Sequence, residues 1–214
     1  MEILYLHGFA SGPRSTKARF FSDRFSAVGI KVHTPDLNAP DFRNLTLTSQ
    51  LKIVTDSLLQ IKDQSRLVLM GSSMGGLLAT IAAQNLASPK QLILLAPGFN
   101  LFHRWSELID QAKLKEWEET GVSEFYHYAL GANAQLSYQF IVDARSHKTD
   151  QFMVNIPTLV FHGKDDTVVP VQESIVFKEE NPDLVELDIL DDGHQLVSSL
   201  ERIWYRTCKF LEIA

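Results

Sequence analysis

The sequence predicts an α/β fold: a mostly parallel sheet of about six strands with helices on both faces and a small helical cap. Two observations carry this expectation. Apolar runs of strand length alternate with longer helix-like runs along the chain. One junction between them, Leu67-Val68-Leu69-Met70-Gly71-Ser72-Ser73-Met74-Gly75-Gly76, is a strand running through a Gly-x-Ser-x-Gly turn into a helix.

The elements follow in order. Residues 2–6 read as a strand, Ser15 caps a helix to about residue 28, and residues 30–34 form the next strand. Residues 47–62 are helical, the run from Leu67 enters the turn, and the helix leaving it lasts to about residue 86. Strands at 92–96, 158–162 and 185–190 complete the sheet, with one helix after Pro170 and another over 198–211. A parallel crossover needs only about a dozen residues, so the segment 97–155 holds a surplus. That surplus predicts the small helical cap. Its aromatics, among them Phe102, Trp105, Trp117, Phe125, Tyr126 and Tyr128, either fasten the cap to the sheet or line a pocket beneath it.

With 45% hydrophobic and 21% charged residues, the 214-residue chain can bury one substantial core, so residues 1–214 are expected to form one domain. A formal charge of −6 with scattered Lys and Arg argues against a nucleic-acid partner, because phosphate binding needs clustered cations. No apolar stretch reaches the length of a membrane span, and Met1 runs into the first strand without a basic and then apolar leader. The single cysteine, Cys208, has no internal partner and suits a reducing compartment. A cytoplasmic protein without a membrane partner is the expectation. His33, His103, His127, His147 and His162 share no metal-ligand spacing, and the glycines from Gly8 to Pro13 lack a nucleotide-binding pattern. No metal and no cofactor are expected, and oligomeric state is not legible.

The turn carries the chemistry. Glycines at Gly71 and Gly75 allow strand and helix to cross closely, and Ser73 stands at the apex, at the positive end of the following helix. A base and an acid follow in the order Ser, Asp, His. His194 succeeds a glycine just past the strand over 185–190, at a strand end that faces the same crevice as Ser73. The acid belongs on the loop after the strand over 158–162, where Asp165 and Asp166 compete. Val168-Val169-Pro170 stiffens the segment beyond them and favours Asp166, leaving Asp165 solvated and Asp191 and Asp192 as turn formers.

On these residues the chain resembles the α/β-hydrolase superfamily, and within it the small bacterial single-domain serine esterases, over nearly its whole length. Ile3-Leu4-Tyr5-Leu6-His7-Gly8-Phe9 is similar to the family's strand ending in His-Gly, although lipases of the superfamily often carry further glycines where Phe9 stands. The resemblance implies that the backbone N–H groups of Phe9 and Met74 form the oxyanion hole and that His7 braces that loop. It also implies Ser73 as nucleophile, His194 as base and Asp166, followed by x-x-Val-Pro, as the orienting acid. The activity implied is cleavage of small carboxylic esters through an acyl-enzyme, with a small-molecule ester as substrate partner. The same triad would also serve a thioesterase, amidase, acyltransferase or perhydrolase, and a non-catalytic ligand-binding homologue is a further alternative. Dehalogenases and epoxide hydrolases of the superfamily place Asp where this chain has Ser73.

Overall fold

The computed structural model describes residues 1–100, 105, 109–149 and 151–213. The strands are β1 (Glu2–Leu6), β2 (Lys31–His33), β3 (Leu67–Ser72), β4 (Gln91–Leu95), β5 (Val122–His127), β6 (Ala132–Ser137), β7 (Thr158–Gly163) and β8 (Val185–Leu190). The helices are α1 (Thr16–Ala27), α2 (Leu47–Leu59), α3 (Met74–Asn85), α4 (Gln111–Thr120), α5 (Gln139–Ala144), α6 (Val171–Glu180) and α7 (Leu200–Leu211).

Six strands form one parallel sheet in the order β2-β1-β3-β4-β7-β8. Its central strands are apolar on both faces because both are covered, and alternate residues divide between two layers. Ile3 and Tyr5, Val68 and Met70, and Ile93 and Leu95 pack with Phe21 and Phe25 of α1 and Ile203 and Leu211 of α7. Leu4 and Leu6, Leu67 and Leu69, and Leu92 and Leu94 pack with Val54 and Leu58 of α2 and Leu77 and Leu78 of α3. The capping hydroxyl of Ser15 accepts the Ala18 amide at 3.3 Å and starts α1 where the sequence indicates. In α7, burial of Leu200, Ile203, Thr207 and Leu211 follows the three- and four-residue spacing of a helix lying on a sheet.

The segment expected to be a helical cap is mixed. Asp110 opens α4 by accepting the Ala112 and Lys113 amides at 2.8 and 3.3 Å, and Gly121 ends it with φ +76°. An antiparallel hairpin of β5 and β6 follows, then the short α5. The reason is local: Val122-Ser123-Glu124-Phe125-Tyr126-His127 sets β-branched and aromatic side chains where a helix would restrict their rotamers, and they fit a pleated surface better. Tyr126 and Tyr128 are 53% and 65% exposed, with their rings edge to face against each other at 5.2 Å. Phe102 and His103 lie outside the described residues. Among the described residues no helix is long and apolar enough to cross a membrane.

The layer of α1 and α7 is tested at Phe25, which is fully buried with its ring 4.9 Å from that of Trp204. Phe25→Ala is expected to lower the unfolding free energy by about 3–5 kcal/mol in a urea titration. A loss below about 1 kcal/mol would show that this layer contributes little.

Candidate active site

At the end of β3 the chain turns directly into α3, and the turn leaves no space for side chains at Gly71 and Gly75. A Cβ on Gly71 would lie 2.1 Å from the Gly75 carbonyl oxygen, and one on Gly75 would lie 2.0 Å from the Leu6 carbonyl oxygen. Between them Ser73 adopts φ 54° and ψ −119°, a conformation that costs a non-glycine residue roughly 1–3 kcal/mol. Backbone bonds hold it there. The Ser73 amide donates to Leu95 O at 2.9 Å, and Ser73 O accepts the amides of Gly76 at 2.8 Å and Gly98 at 2.9 Å.

Strained in this way, the Ser73 side chain leaves the helix uncapped and turns toward the loop after β8. Its hydroxyl donates to His194 Nε2 at 3.0 Å, and His194 Nδ1 donates to Asp166 Oδ2 at 2.7 Å. The Asp166 side chain is fully buried and His194 is 14% exposed. Of the two candidate acids, Asp166 is therefore the one whose carboxylate meets the imidazole, whereas Asp165 is exposed.

Burial alone would push the Asp166 carboxyl up. The His162 ring at 3.3 Å, the hydrogen bond and charge of His194 and the Val169 amide outweigh burial and hold it well below the usual carboxylate range. Asp166 Oδ1 receives the amides of Val168 and Val169, both at 2.8 Å. The Val-Val-Pro stretch thus contributes two backbone donors as well as stiffness.

Gly8 passes beside the serine: a Cβ built on it would sit 3.4 Å from the Ser73 Cβ. The next residue is Phe9, and Met74 is the first residue of α3, where helix amides lack an intrahelical acceptor. His7 is buried, donates from Nδ1 to Gly8 O at 2.9 Å and accepts the Leu37 amide on Nε2 at 3.0 Å. It ties the loop after β1 to the segment after β2.

The cap is anchored to this same loop. The Phe9 ring lies 5.4 to 5.7 Å from the rings of Phe42, Trp105, Phe125 and Phe140, and the Tyr128 amide donates to Ala10 O at 2.8 Å.

Three residues are placed at the site without having been singled out as functional in the sequence. Asp192, read as a turn former, accepts the amides of Gly193 at 2.8 Å and Ser199 at 3.0 Å and so shapes the His194 loop. Lys17 donates to Gln195 O at 2.8 Å, and burial pulls its ammonium down to about 8 against the opposing charges of Asp166 and Asp192. His162 lies beneath Asp166. Only the adjacency of His162 to the acid loop was visible in the chain. The other contacts join segments far apart in sequence. Arg14 is exposed just before the Ser15 cap. Among the described residues no group of three His, Cys, Asp or Glu side chains is placed to hold a metal ion.

A parallel sheet with a serine on a sharp elbow at one strand end, and a histidine and an acid on the loops of two others, defines the α/β-hydrolase class of fold. Within it, the chain belongs to the uncharacterised protein family UPF0227, whose family model matches residues 2–211. No curated relative matches it.

Solved structures share the fold at low identity. A protein described as a hydrolase from Agrobacterium vitis S4 is 21% identical, with TM-score 0.84 over 98% of this chain and 87% of its own. Mouse alpha/beta hydrolase domain-containing protein 10 is 21% identical, with TM-score 0.74 over 100% of this chain and 90% of its own. Est1E from Butyrivibrio proteoclasticus, solved with ferulic acid bound, is 18% identical, with TM-score 0.73 over 99% of this chain and 89% of its own.

Asp166 leaves a signature in acid. Its folded carboxyl titrates below the unfolded one, so the ionised group stabilises the fold above pH about 4, and that contribution is lost as pH falls toward the folded value. Unfolding free energies from neutral pH to pH about 3 should therefore fall more steeply for the wild type than for Asp166→Asn. Parallel slopes would show that the buried carboxylate is not stabilised by its donors.

Proposed function

We propose that the protein is a serine hydrolase that cleaves small carboxylic esters. The observation that carries this reading is the unbroken line from the Ser73 hydroxyl through His194 to the buried Asp166 carboxylate, at 3.0 and 2.7 Å. Ser73 Oγ attacks the ester carbonyl as His194 Nε2 takes its proton, and Asp166 stabilises the imidazolium that forms. The oxyanion is received by the backbone N–H groups of Phe9 and Met74, aided by the positive end of α3. Collapse of the tetrahedral intermediate passes the proton from His194 to the departing alcohol and leaves an acyl-enzyme. Water, deprotonated by His194, then attacks the acyl carbon, and the proton returns to Ser73 as the acid leaves.

The acyl group is proposed to lie between the elbow and the aromatic cluster around Phe9. That cluster is compact, and Est1E, which shares the fold, has been solved with a small aromatic acid. Soluble esters of short or aryl acids are therefore the proposed substrates. A cytoplasmic setting, without membrane or nucleic-acid partner, belongs to the same proposal and rests on the single cysteine and the net charge of −6.

Labelling of Ser73 by a fluorophosphonate, followed by turnover of simple esters, tests the reaction. Ser73→Ala, His194→Ala and the double variant should each lose on the order of a millionfold in turnover, as groups acting as one unit do in serine proteases. Asp166→Asn should lose roughly four orders of magnitude while Asp165→Asn stays mild. Labelling without turnover would favour a ligand-binding role, and an active Ser73→Ala would sink the reading.

Along a series of soluble esters, kcat/KM should rise with the first methylenes, each worth about 0.8 kcal/mol where it finds apolar surface, and then fall early. Activity that climbs to long-chain emulsions would refute the size argument.

A further inference from the structure

His162 is the penultimate residue of β7, its side chain is fully buried, and none of the steps above uses it. A carbonyl can only accept, so the 2.8 Å contact between His162 Nε2 and Val169 O places a proton on Nε2. The other nitrogen, Nδ1, then accepts from the Ser174 hydroxyl at 2.7 Å. Ser174 is itself fully buried in the first turns of α6, and its hydroxyl is turned to this ring. The tautomer of a second histidine is thus set from two sides. The same Nε2 lies 3.3 Å from Asp166 Oδ2, the oxygen that receives His194 Nδ1. Asp166 Oδ1 is occupied by the two Val amides.

We infer that His162 is a positioning residue for this reaction: from beneath, it shares Asp166 Oδ2 with His194 and thereby sets the carboxylate's orientation and its pull on the imidazole. This inference rests on the serine-hydrolase reading for its consequence in turnover, and on the contacts alone for its consequence in titration. With His162 present, Oδ2 receives the direct hydrogen bond of His194 and also faces, at 3.3 Å, the positive end of the Nε2–H dipole whose own hydrogen bond goes to Val169 O. Without it, the charge falls on His194 alone, the imidazolium is favoured, and the base remains protonated to higher pH. The carboxylate also loses a contact that fixes its plane, so the base is held less firmly for the transition state.

Among the described residues, the charged groups near the His194 loop include Lys17 of α1, which holds Gln195 O, Asp192, whose oxygens are taken by the Gly193 and Ser199 amides, and the Lys164–Asp191 pair at 3.0 Å. Asp165 is exposed on the acid loop. None of their contacts involves His162.

The test compares the wild type with His162→Leu, His162→Gln and Ser174→Ala. Gln carries an N–H at the reach of Nε2, whereas Leu fills the space without a donor. Two quantities are read: the acid limb of kcat/KM on p-nitrophenyl acetate, normalised to fluorophosphonate-reactive sites, and the titration of the His194 ring by NMR. In His162→Leu both should move to higher pH by about half a unit or more, with kcat reduced roughly tenfold and KM little changed. His162→Gln should return them toward the wild type. Ser174→Ala, which removes only the tautomer-setting hydroxyl, should move them in the same direction by less.

A purely structural role would lower stability and leave the limb in place. An unmoved His194 titration in Ser174→Ala together with either an unmoved or an unfolded His162→Leu overturns the inference, as does a displacement in His162→Gln equal to that in His162→Leu. If the wild type turns over no ester, the functional reading fails, and the NMR titration still decides this one.

Discussion

At Gly75 the first turn of α3 presses against the end of β1, and the Leu6 and His7 carbonyls fill the space a side chain would take. The site depends on that approach. It brings the β3 elbow beside the loop after β1, so that Gly8 passes next to Ser73. A bulkier residue would separate strand and helix and remove the alignment without any change to Ser73, His194 or Asp166 themselves. The strain at Ser73 follows from the same closeness, and the bonds to Leu95, Gly76 and Gly98 offset it.

The second requirement is a carboxylate kept ionised out of water. Such a group costs several kcal/mol unless its oxygens are satisfied. Asp166 is supplied by the Val168 and Val169 amides, by His194 and by His162, drawn from β7, its loop and the β8 loop. Parallel strands make this possible because their carboxyl ends point the same way, so loops distant in sequence meet at one edge.

Much of this was legible in the chain because it is local. The elbow is written in Gly71 and Gly75, the start of α1 in Ser15, and the two-faced strands in runs such as Leu67-Val68-Leu69-Met70. The preference for Asp166 over Asp165 followed from Val168-Val169-Pro170, and it is the Asp166 carboxylate that the His194 ring meets. The hairpin of β5 and β6 was hidden because its turn, Tyr128-Ala129-Leu130-Gly131, has none of the Asn-Gly or Asp-Gly pairs that announce a short hairpin. Aromatic content says that a segment will bury surface, not whether it does so as helix or strand. His162, Lys17 and Asp192 stayed silent for another reason. Their partners at Ser174, Gln195 and Ser199 are chosen by loop conformation, which one-dimensional spacing does not encode.

Phe9 follows the glycine that passes beside Ser73 and has its ring among the aromatics of the cap. Mutational freedom is therefore distributed unevenly. Tyr126, Tyr128 and Leu130, more than half exposed, are open to wide variation, and the elbow glycines to almost none. Between these extremes, residues such as Phe42, Trp105, Phe125 and Phe140 pack against the Phe9 ring. New selectivity can evolve there in small steps, each change shifting the pocket wall and the loop bearing the oxyanion donor together, so that altered preference and altered rate arrive as one trait.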